Sequence, residues 1–276
     1  MIIYKKIAAL KTFLESQRND KKTIGFVPTM GALHQGHISL VEAAKKENDI
    51  VVVSIFVNPI QFNKAEDLEK YPRTLEEDCR LLEGHCQAVF YPSVEEMYPE
   101  EVKKNYDFGE LATVMEGACR PGHFNGVGVV VKKLFDIVEA HKAYFGKKDF
   151  QQLAIIRRLV EIESIPITIV ACATEREIDG LAMSSRNRRL SQKERGLAPQ
   201  IYKGLSFIKE RKEQATPLYL QQEVLVMLQK YFDTEYIQIV DGYSLQSIQN
   251  WEDTDYPVVC VAANLGSVRL IDNLEL

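Results

Sequence analysis

Apolar and polar residues follow two alternating patterns along the first two thirds of the chain. Short apolar runs, typical of buried strands, occupy 23–28, 49–56, 88–91, 143–145 and 165–171. Apolar residues at helical spacing predict amphipathic helices over 3–17, 37–47, 126–138 and 150–161. Because strands and helices alternate, the pattern predicts an α/β fold: a Rossmann-like parallel sheet with helices on both faces.

The order of helical and strand patterns changes near residue 177, where Asp179 and Gly180 mark a turn. Two helical patterns and three short strand patterns follow, over 191–212, 217–231, 236–240, 258–262 and 268–271. We therefore expect two domains. A Rossmann-like domain spans 1–175, and a smaller α+β domain over 176–276 closes over it.

One further helix is predicted between the second and third strands, from Thr74 to about Leu82. Glu77 stands three residues after Thr74, which is the spacing of a capping box. Glu77 and Asp78 could reach a magnesium ion from this helix. A solvated helix face is the more ordinary interpretation of such acidic residues.

Composition and charge narrow the class of protein. The 276 residues are 46% hydrophobic and 26% charged, and 34 basic against 39 acidic residues give a net charge of −5. This negative balance does not favour nucleic-acid binding, so an anionic ligand needs a local basic site. The sequence lacks an apolar run of the ~20 residues that a membrane span needs, and its start lacks a signal-peptide core. Five cysteines without paired spacing indicate reduced thiols, and we expect a cytoplasmic protein without a membrane partner.

The turn after the first of these apolar runs carries two histidines, His34 and His37, with Gly36 between them. The start of the following helix attracts phosphate through unpaired N–H groups and the helix dipole. Glycine allows close approach of a ligand, and imidazoles can donate to phosphate oxygens or carry positive charge. A solvated loop with incidental histidines is the alternative, but the strand–turn–helix context favours a nucleotide site.

Two other strand ends carry polar residues, over 58–61 and 146–149. Open parallel sheets bind ligands beyond the carboxyl ends of their strands. These segments and the histidine turn should therefore meet at one edge of the sheet.

Six blocks in one order carry a resemblance to a known family. They are VPTMGALHQGH at 27–37, SIFVNPIQF at 54–62, YPRT at 71–74, RPGHFNGV at 120–127, FGKKDFQQL at 145–153 and GLAMSSRN at 180–187, with a weaker echo in VAANLGSVRLIDN at 261–273. The sequence HQGH resembles the HxGH signature of the nucleotidyltransferase superfamily, which includes class I aminoacyl-tRNA synthetases. The whole set resembles the pantothenate synthetase (pantoate–β-alanine ligase) family.

The resemblance implies a reaction, its ligands and an assembly. ATP, (R)-pantoate and β-alanine would give pantothenate, AMP and pyrophosphate through a pantoyl-adenylate intermediate. It implies a homodimer, and Mg²⁺ is expected with ATP. The sequence does not fix the residues that hold the metal ion.

The resemblance also assigns roles to residues in the matching blocks. The catalytic residues would be His34, His37, Lys148 and Arg186. The ATP-binding residues would be Met30, Gly31, His34, Gly36, His37, Gly146, Lys148, Asp149, Met183, Ser184, Ser185 and Arg186. The substrate-binding residues would be Asn58, Gln61 and Gln152. The segment 184–186 resembles the KMSKS loop of the superfamily in an SSR form.

Three positions, Arg120, His123 and Arg176, leave alternatives open, and a fourth, Lys147, departs from the family pattern. Arg120 and His123 fit either a phosphate or carboxylate contact or a structural ion pair. Arg176 fits a solvated charge as well as a site residue. At Lys147 the family commonly has a glutamate, so we expect Lys148 to face the nucleotide and Lys147 to be mainly solvated.

Two other functions compete with this interpretation. A nucleotidyltransferase that stops at a nucleotidylated product would share the HxGH turn, but we do not expect it to carry the paired glutamine blocks. A non-catalytic nucleotide-binding regulator would not need histidine, lysine and SSR elements together.

Overall fold

The computed structural model describes residues 1–63 and 65–276. Its strands are β1 (Ile2–Tyr4), β2 (Ile24–Thr29), β3 (Ile50–Ile55), β4 (Ala88–Phe90), β5 (Lys142–Gly146), β6 (Thr168–Cys172), β7 (Asp233–Asp241), β8 (Pro257–Leu265) and β9 (Val268–Glu275). Its helices are α1 (Ile7–Asn19), α2 (Gln35–Glu47), α3 (Ala65–Glu69), α4 (Leu75–Leu82), α5 (Val94–Met97), α6 (Met115–Cys119), α7 (His123–Val138), α8 (Phe150–Ile162), α9 (Gln192–Leu197), α10 (Gln200–Arg211) and α11 (Pro217–Leu228). Short 3₁₀ turns cover Pro59–Gln61, Gly109–Ala112, Lys147–Asp149, Ser185–Arg189 and Trp251–Asp253.

The main sheet is parallel and has the strand order β1-β4-β3-β2-β5-β6 in the described residues. Different helices cover its two faces. Ile50 and Val52 of β3 belong to a core with α1, α7 and α8. Val51 and Val53 of the same strand belong to a core with α2 and α4. The Rossmann-like sheet with helices on both faces is confirmed.

The strand order places a topological switch between β2 and β5. From β2 the chain continues to β3 and β4 on one side, and β5 and β6 lie on the other side. Neighbouring strands that leave their connections in opposite directions open a crevice beyond their carboxyl ends. The histidine turn follows β2 and the Lys147–Asp149 turn follows β5, so both meet at this crevice.

The predicted helix over 3–17 is wrong at its start. Ile2–Tyr4 pairs in parallel with Ala88–Phe90 as the edge strand of the sheet, and the helix begins only at Ile7. Pairing with β4 overrides a helical spacing that begins at Ile3.

The predicted capping box of α4 is also wrong. Thr74 precedes the helix, but its hydroxyl donates to Asp78 Oδ1 (3.2 Å) and makes no capping hydrogen bond.

The C-terminal part forms an antiparallel sheet in the order β7-β8-β9, which is the expected smaller α+β element. Helices α10 and α11 pack on it through Leu205 and Val224, which share a core with Val261. A smaller apolar cluster joins Phe150 of α8 to Val258 of β8. The domain boundary after residue 175 stays a prediction. Among the described residues, helices of the length and apolarity required to cross a bilayer are absent.

Candidate active site

A cavity of about 260 Å³ lies at the crevice beyond β2 and β5. Nearly all the residues singled out from the sequence line it: Met30, His34, Gly36, His37, Asn58, Gln61, Gly146, Lys148, Asp149, Gln152, Met183, Ser184, Ser185 and Arg186. Gly31 supports the histidine turn from behind, where its N–H donates to Thr29 Oγ1 (3.2 Å). The three strand ends therefore converge as expected.

The two histidines cap the start of α2 with their own rings. His34 Nδ1 accepts from the N–H of Gly36 (3.1 Å), and His37 Nδ1 accepts from the N–H of His34 (3.3 Å). This hydrogen-bond pattern places the proton of each neutral ring on Nε2. The ring centroids lie 4.1 Å apart, so the two Nε2–H groups form a pair of neighbouring donors.

Both rings are neutral near pH 7. Burial, followed by the charges of Lys148 and Arg188, lowers the pKa of His34 to about 4. Burial, followed by His34 and Lys148, lowers the pKa of His37 to about 3. The sequence suggested rings that can carry charge, but they are held as neutral donors. A nearby polyphosphate would raise both pKa values, since an anion favours the charged form.

A buried carboxylate holds the backbone just before His34. Asp78 is 1% exposed, and it accepts from the N–H groups of Ala32 (3.0 Å) and Leu33 (2.7 Å). Gly31 has φ +81°, and a Cβ there would lie 3.0 Å from Asp78 Oδ2, so this turn requires glycine. The interpretation of Asp78 as a solvated residue is therefore wrong.

Asp78 could have been found from its spacing. It lies four residues before Leu82, and both side chains are buried on the same face of α4. Glu77, in contrast, is 57% exposed, as expected for a solvated position.

A chain of hydrogen bonds orients Gln61. Tyr98 donates to Asn58 Oδ1 (2.9 Å), and Asn58 Nδ2 donates to Gln61 Oε1 (3.1 Å) and to the Gly126 carbonyl (3.1 Å). The Gln61 NH₂ group is thereby directed to Met30 Sδ (3.0 Å) at the cavity wall. Asn58 lines the cavity, but these contacts engage its amide in orienting Gln61.

The two glutamines of DFQQL have different environments. Gln152 lines the cavity. Gln151 accepts from the N–H of Glu116 (2.9 Å) and donates to the carbonyls of Leu111 (2.8 Å) and Val114 (2.9 Å). Gln151 is therefore a structural neighbour with which Gln152 can be compared.

Arg120 and His123 form part of the wall behind Gln61. Arg120 donates to His123 Nε2 (3.1 Å), so His123 Nδ1–H donates to the Gln61 carbonyl (2.9 Å). Burial and the Arg120 charge lower the pKa of His123 to about 4. Arg120 also lies 3.6 Å from Glu116, so the structural ion pair is present, and Arg120 lines the cavity as well.

The SSR segment reaches the histidine turn from the C-terminal side. Ser184 caps the turn Ser185–Arg189 by accepting from the N–H of Arg186 (3.2 Å). Arg188 donates to the Leu33 carbonyl (3.4 Å), next to His34. The segment and the histidines therefore face the same cavity.

Lys147 and Lys148 have different partners. Lys147 Nζ lies 2.7 Å from Glu275 Oε1, and the two side chains are only 31% and 39% exposed. The expectation of a mainly solvated Lys147 is wrong, because β9 supplies a carboxylate 128 residues away. Lys148 lines the cavity, and its charge acts on both histidines.

The acidic groups at the cavity are few. Among residues 1–63 and 65–276, clusters of three or more histidine, cysteine or acidic side chains able to hold a metal ion are absent. Asp149 and Glu175 line the cavity.

Comparisons with known sequences agree with this arrangement. The family model described as pantoate-beta-alanine ligase matches residues 2–275. The chain is 53% identical to a pantothenate synthetase of Porphyromonas gingivalis, covering 100% of this chain and 99% of that protein. It is 51% identical to one of Phocaeicola vulgatus, with the same coverage.

Solved structures give the same result. A pantothenate synthetase of Thermus thermophilus superposes with a TM-score of 0.94 at 42% identity, covering 100% of this chain and 99% of that one. A pantoate-beta-alanine ligase of Francisella tularensis, complexed with beta-gamma ATP and beta-alanine, gives a TM-score of 0.84 at 36% identity, covering 100% and 97%. From its sequence, fold and site, this chain belongs to the pantoate–β-alanine ligase family.

Proposed function

We propose that this chain condenses (R)-pantoate with β-alanine to pantothenate and converts ATP to AMP and pyrophosphate. One observation carries the proposal beyond family membership. A single cavity brings two neighbouring Nε2–H donors and Lys148 together with the oriented amide of Gln61. This combination suits a polyphosphate and a hydroxy acid side by side.

In the first step, a carboxylate oxygen of pantoate attacks the α-phosphorus of ATP. A new O–P bond forms, and the bond to pyrophosphate breaks. His34, His37, Lys148 and Arg186 serve the phosphate oxygens, and Ser184 and Ser185 add hydroxyl donors. Catalysis is then positioning together with stabilisation of developing charge, as in other phosphate-transfer reactions.

Pantoate is held next to the phosphates by two amides. The Tyr98–Asn58 chain fixes which end of the Gln61 amide faces the cavity, so Gln61 presents its NH₂ group. Gln152 supplies a second amide from α8. In this proposal Asn58 contributes to pantoate binding by orienting Gln61.

In the second step, the β-alanine amine attacks the carbonyl of the pantoyl adenylate, and AMP leaves with the shared oxygen. Neither step requires a covalent enzyme nucleophile. The cavity shelters an adenylate that water would otherwise hydrolyse. The Francisella tularensis ligase complexed with beta-gamma ATP and beta-alanine supports this substrate assignment.

Magnesium fits the donors present. The Asp149 and Glu175 carboxylates line the cavity, and Mg²⁺ in proteins commonly uses one or two carboxylates together with substrate phosphates. These two residues would hold it. Bound with ATP, the ion would neutralise part of the phosphate charge.

The domain division at residue 175, a homodimeric assembly and a cytoplasmic location complete the proposal. The C-terminal sheet has its own apolar core, separate from the cores on the two faces of the main sheet, and this supports the division. The assembly and the location rest on the family resemblance.

A product assay tests the proposal. The chain is incubated with ATP, Mg²⁺, pantoate and β-alanine, and the products are separated by mass. We expect AMP, pyrophosphate and pantothenate, and a bound pantoyl adenylate when β-alanine is omitted. ADP with phosphate would indicate an acyl phosphate, a stable nucleotidylated product would indicate the nucleotidyltransferase alternative, and bound but unreacted ATP would indicate a regulator.

A further inference from the structure

The sequence block at 261–273 ends on β9 of the C-terminal sheet. Its last residue, Asn273, is 6% exposed near the end of β9. Asn273 Nδ2 donates to the carbonyls of Lys147 (2.9 Å) and Lys148 (2.8 Å). One amide nitrogen from the C-terminal sheet thus donates to two consecutive carbonyls of the turn Lys147–Asp149, called here the lysine turn.

The neighbouring residue fixes Asn273. Asp272 is 4% exposed and pairs with Arg176 through both carboxylate oxygens (2.6 and 3.0 Å). Arg176 also donates to the carbonyls of Asn273 (3.1 Å) and Gly180 (3.1 Å). Arg176 is therefore a half-buried structural contact, which corrects its interpretation as a solvated charge. Arg176 thus fixes the backbone at Asn273 through the Asp272 carboxylate and the Asn273 carbonyl.

The lysine turn depends on such external contacts. It is a single 3₁₀ turn of three residues, Lys147–Asp149, between β5 and α8. The direction of the Lys148 side chain follows from the backbone of this turn. A displacement of a charged group by about 1 Å can cost about 10²-fold in rate, so the contacts of the turn matter for chemistry.

We propose that Asn273 is a positioning residue for the adenylation step: it holds the backbone of Lys148 so that the ammonium group faces the phosphates. The inference rests on the proposed function. Its consequence is specific to one half of the reaction. Lys148 serves phosphates that leave as pyrophosphate, so a misplaced Lys148 slows adenylation and leaves amide formation from the adenylate nearly unchanged.

Asn273→Ala in the full chain tests this. Single-turnover pyrophosphate release with ATP and pantoate reports adenylation, and pantothenate formation from supplied pantoyl adenylate reports the second step. We expect adenylation to slow by about 10- to 100-fold, while the second step and the KM for pantoate change by no more than about twofold. Asn264→Ala on β8 is the matched control, since its side chain donates to Glu235 (3.0 Å) away from the turn.

A double-mutant cycle with Lys148→Ala separates positioning from a merely structural role. If Asn273 acts through Lys148, Asn273→Ala has an effect of less than about twofold on adenylation once Lys148 is removed. Should Asn273→Ala fail to fold, Asn273→Ser, which keeps one donor, takes its place in both measurements.

Three results would overturn the inference: equal losses in both half-reactions, full additivity in the cycle, or unchanged adenylation in Asn273→Ala. A wild-type chain that releases no AMP would instead refute the proposed function. The two failures are therefore distinguishable.

Discussion

The histidine turn after β2 and the lysine turn after β5 are neighbours at one sheet edge, yet they are held by different parts of the molecule. The histidine turn is clamped by Asp78, which comes from α4 of the Rossmann-like part and accepts from backbone N–H groups. The lysine turn is clamped by Asn273, which comes from the C-terminal sheet and donates to backbone carbonyls.

The two turns of the phosphate site are therefore stabilised differently, one from within the Rossmann-like part and the other by the C-terminal sheet. The histidine turn has a left-handed backbone at Gly31 and Ala32, and its clamp lies within the Rossmann-like part. The lysine turn depends on where β9 lies. Changes in the C-terminal sheet should therefore displace Lys148 and leave His34 and His37 in place. Variants of each turn can test this difference.

The largest expected effect is at His37. His37→Asn keeps an oxygen that can accept from the helix start but removes the Nε2–H donor. We expect adenylation to slow by about 10²- to 10³-fold, the usual loss for one charge-stabilising donor. The melting temperature should stay close to that of the wild type, because the cap is preserved. Near-normal adenylation would show that the ring only caps α2.

Lys148 comes next, with Lys147 as its matched control. Lys148→Ala should slow adenylation by at least about 10²-fold, since it removes a fixed cation from the phosphate site. Lys147→Ala should leave adenylation within a few fold, because its partner is Glu275.

Lys147→Glu sharpens the test of the lysine turn. It restores the family's usual residue but places two carboxylates together at Glu275, so we expect lower thermal stability than in Lys147→Ala. Addition of Glu275→Lys should recover that loss. If Lys147→Ala harmed adenylation more than Lys148→Ala, the assignment of the lysine turn would be off by one residue.

Substitution of Gln152 tests whether the start of α8, next to the Lys147–Asp149 turn, also binds pantoate. Gln152→Ala should raise the KM for pantoate far more than that for ATP, at a cost of about 1–3 kcal/mol. Gln151→Ala is the control, since its contacts are all structural, and it should lower the melting temperature instead. Equal increases in both KM values for Gln152→Ala would argue that it shapes the loop.

Asp78→Asn tests the clamp of the histidine turn. The amide keeps one acceptor oxygen for two buried N–H groups, so we expect a loss of about 1–3 kcal/mol in the free energy of unfolding. Adenylation should slow by about tenfold, equivalent to about 1.4 kcal/mol. Glu77→Gln, at the exposed neighbouring position, should change stability by about 0.5 kcal/mol or less. If the two variants had the same stability and adenylation rate, Asp78 would not hold the histidine turn.

The smallest expected effect is that of acidic pH on stability. It acts through the two neutral histidines of the turn. The folded pKa values of His34 and His37, about 4 and about 3, lie below the ordinary value of 6.5. Between pH 6.5 and 4 the unfolded chain therefore binds more protons, and the free energy of unfolding falls as the pH falls. Chemical denaturation at pH 7 and pH 5 measures this. The fall should be smaller in His37→Gln than in the wild type, and an equal fall would contradict neutral burial of this ring.

Local patterns in the sequence were sufficient to predict most of the fold and the meeting of three loops at one sheet edge, whereas the family resemblance supplied Gln152 and the segment 183–186. The buried strands have apolar runs, and the histidine turn and the segments 58–61 and 146–149 follow the carboxyl ends of those strands directly. The edge strand Ile2–Tyr4 could not be predicted in this way, because its pairing with Ala88–Phe90 is a long-range contact that overrides helical spacing.

The contacts by which Asp78 and Asn273 hold the two turns could not be predicted from local patterns either. Asp78 lies 45 residues from Leu33, and Asn273 lies 125 residues from Lys148. The spacing of Asp78 and Leu82 indicates a buried side chain but not the backbone N–H groups that it binds, and an asparagine near a chain end gives no local sign of its partners. The same holds for Lys147, whose partner Glu275 lies on β9.

The central claim is that a pantoate carboxylate oxygen attacks the α-phosphorus of ATP in this cavity. Pantoate labelled with ¹⁸O in its carboxylate tests it most directly, with the full reaction run to completion and AMP analysed by mass spectrometry. We predict that AMP carries one labelled oxygen, since the oxygen that attacks phosphorus leaves with AMP. Unlabelled AMP, or label in inorganic phosphate, would contradict the adenylate mechanism.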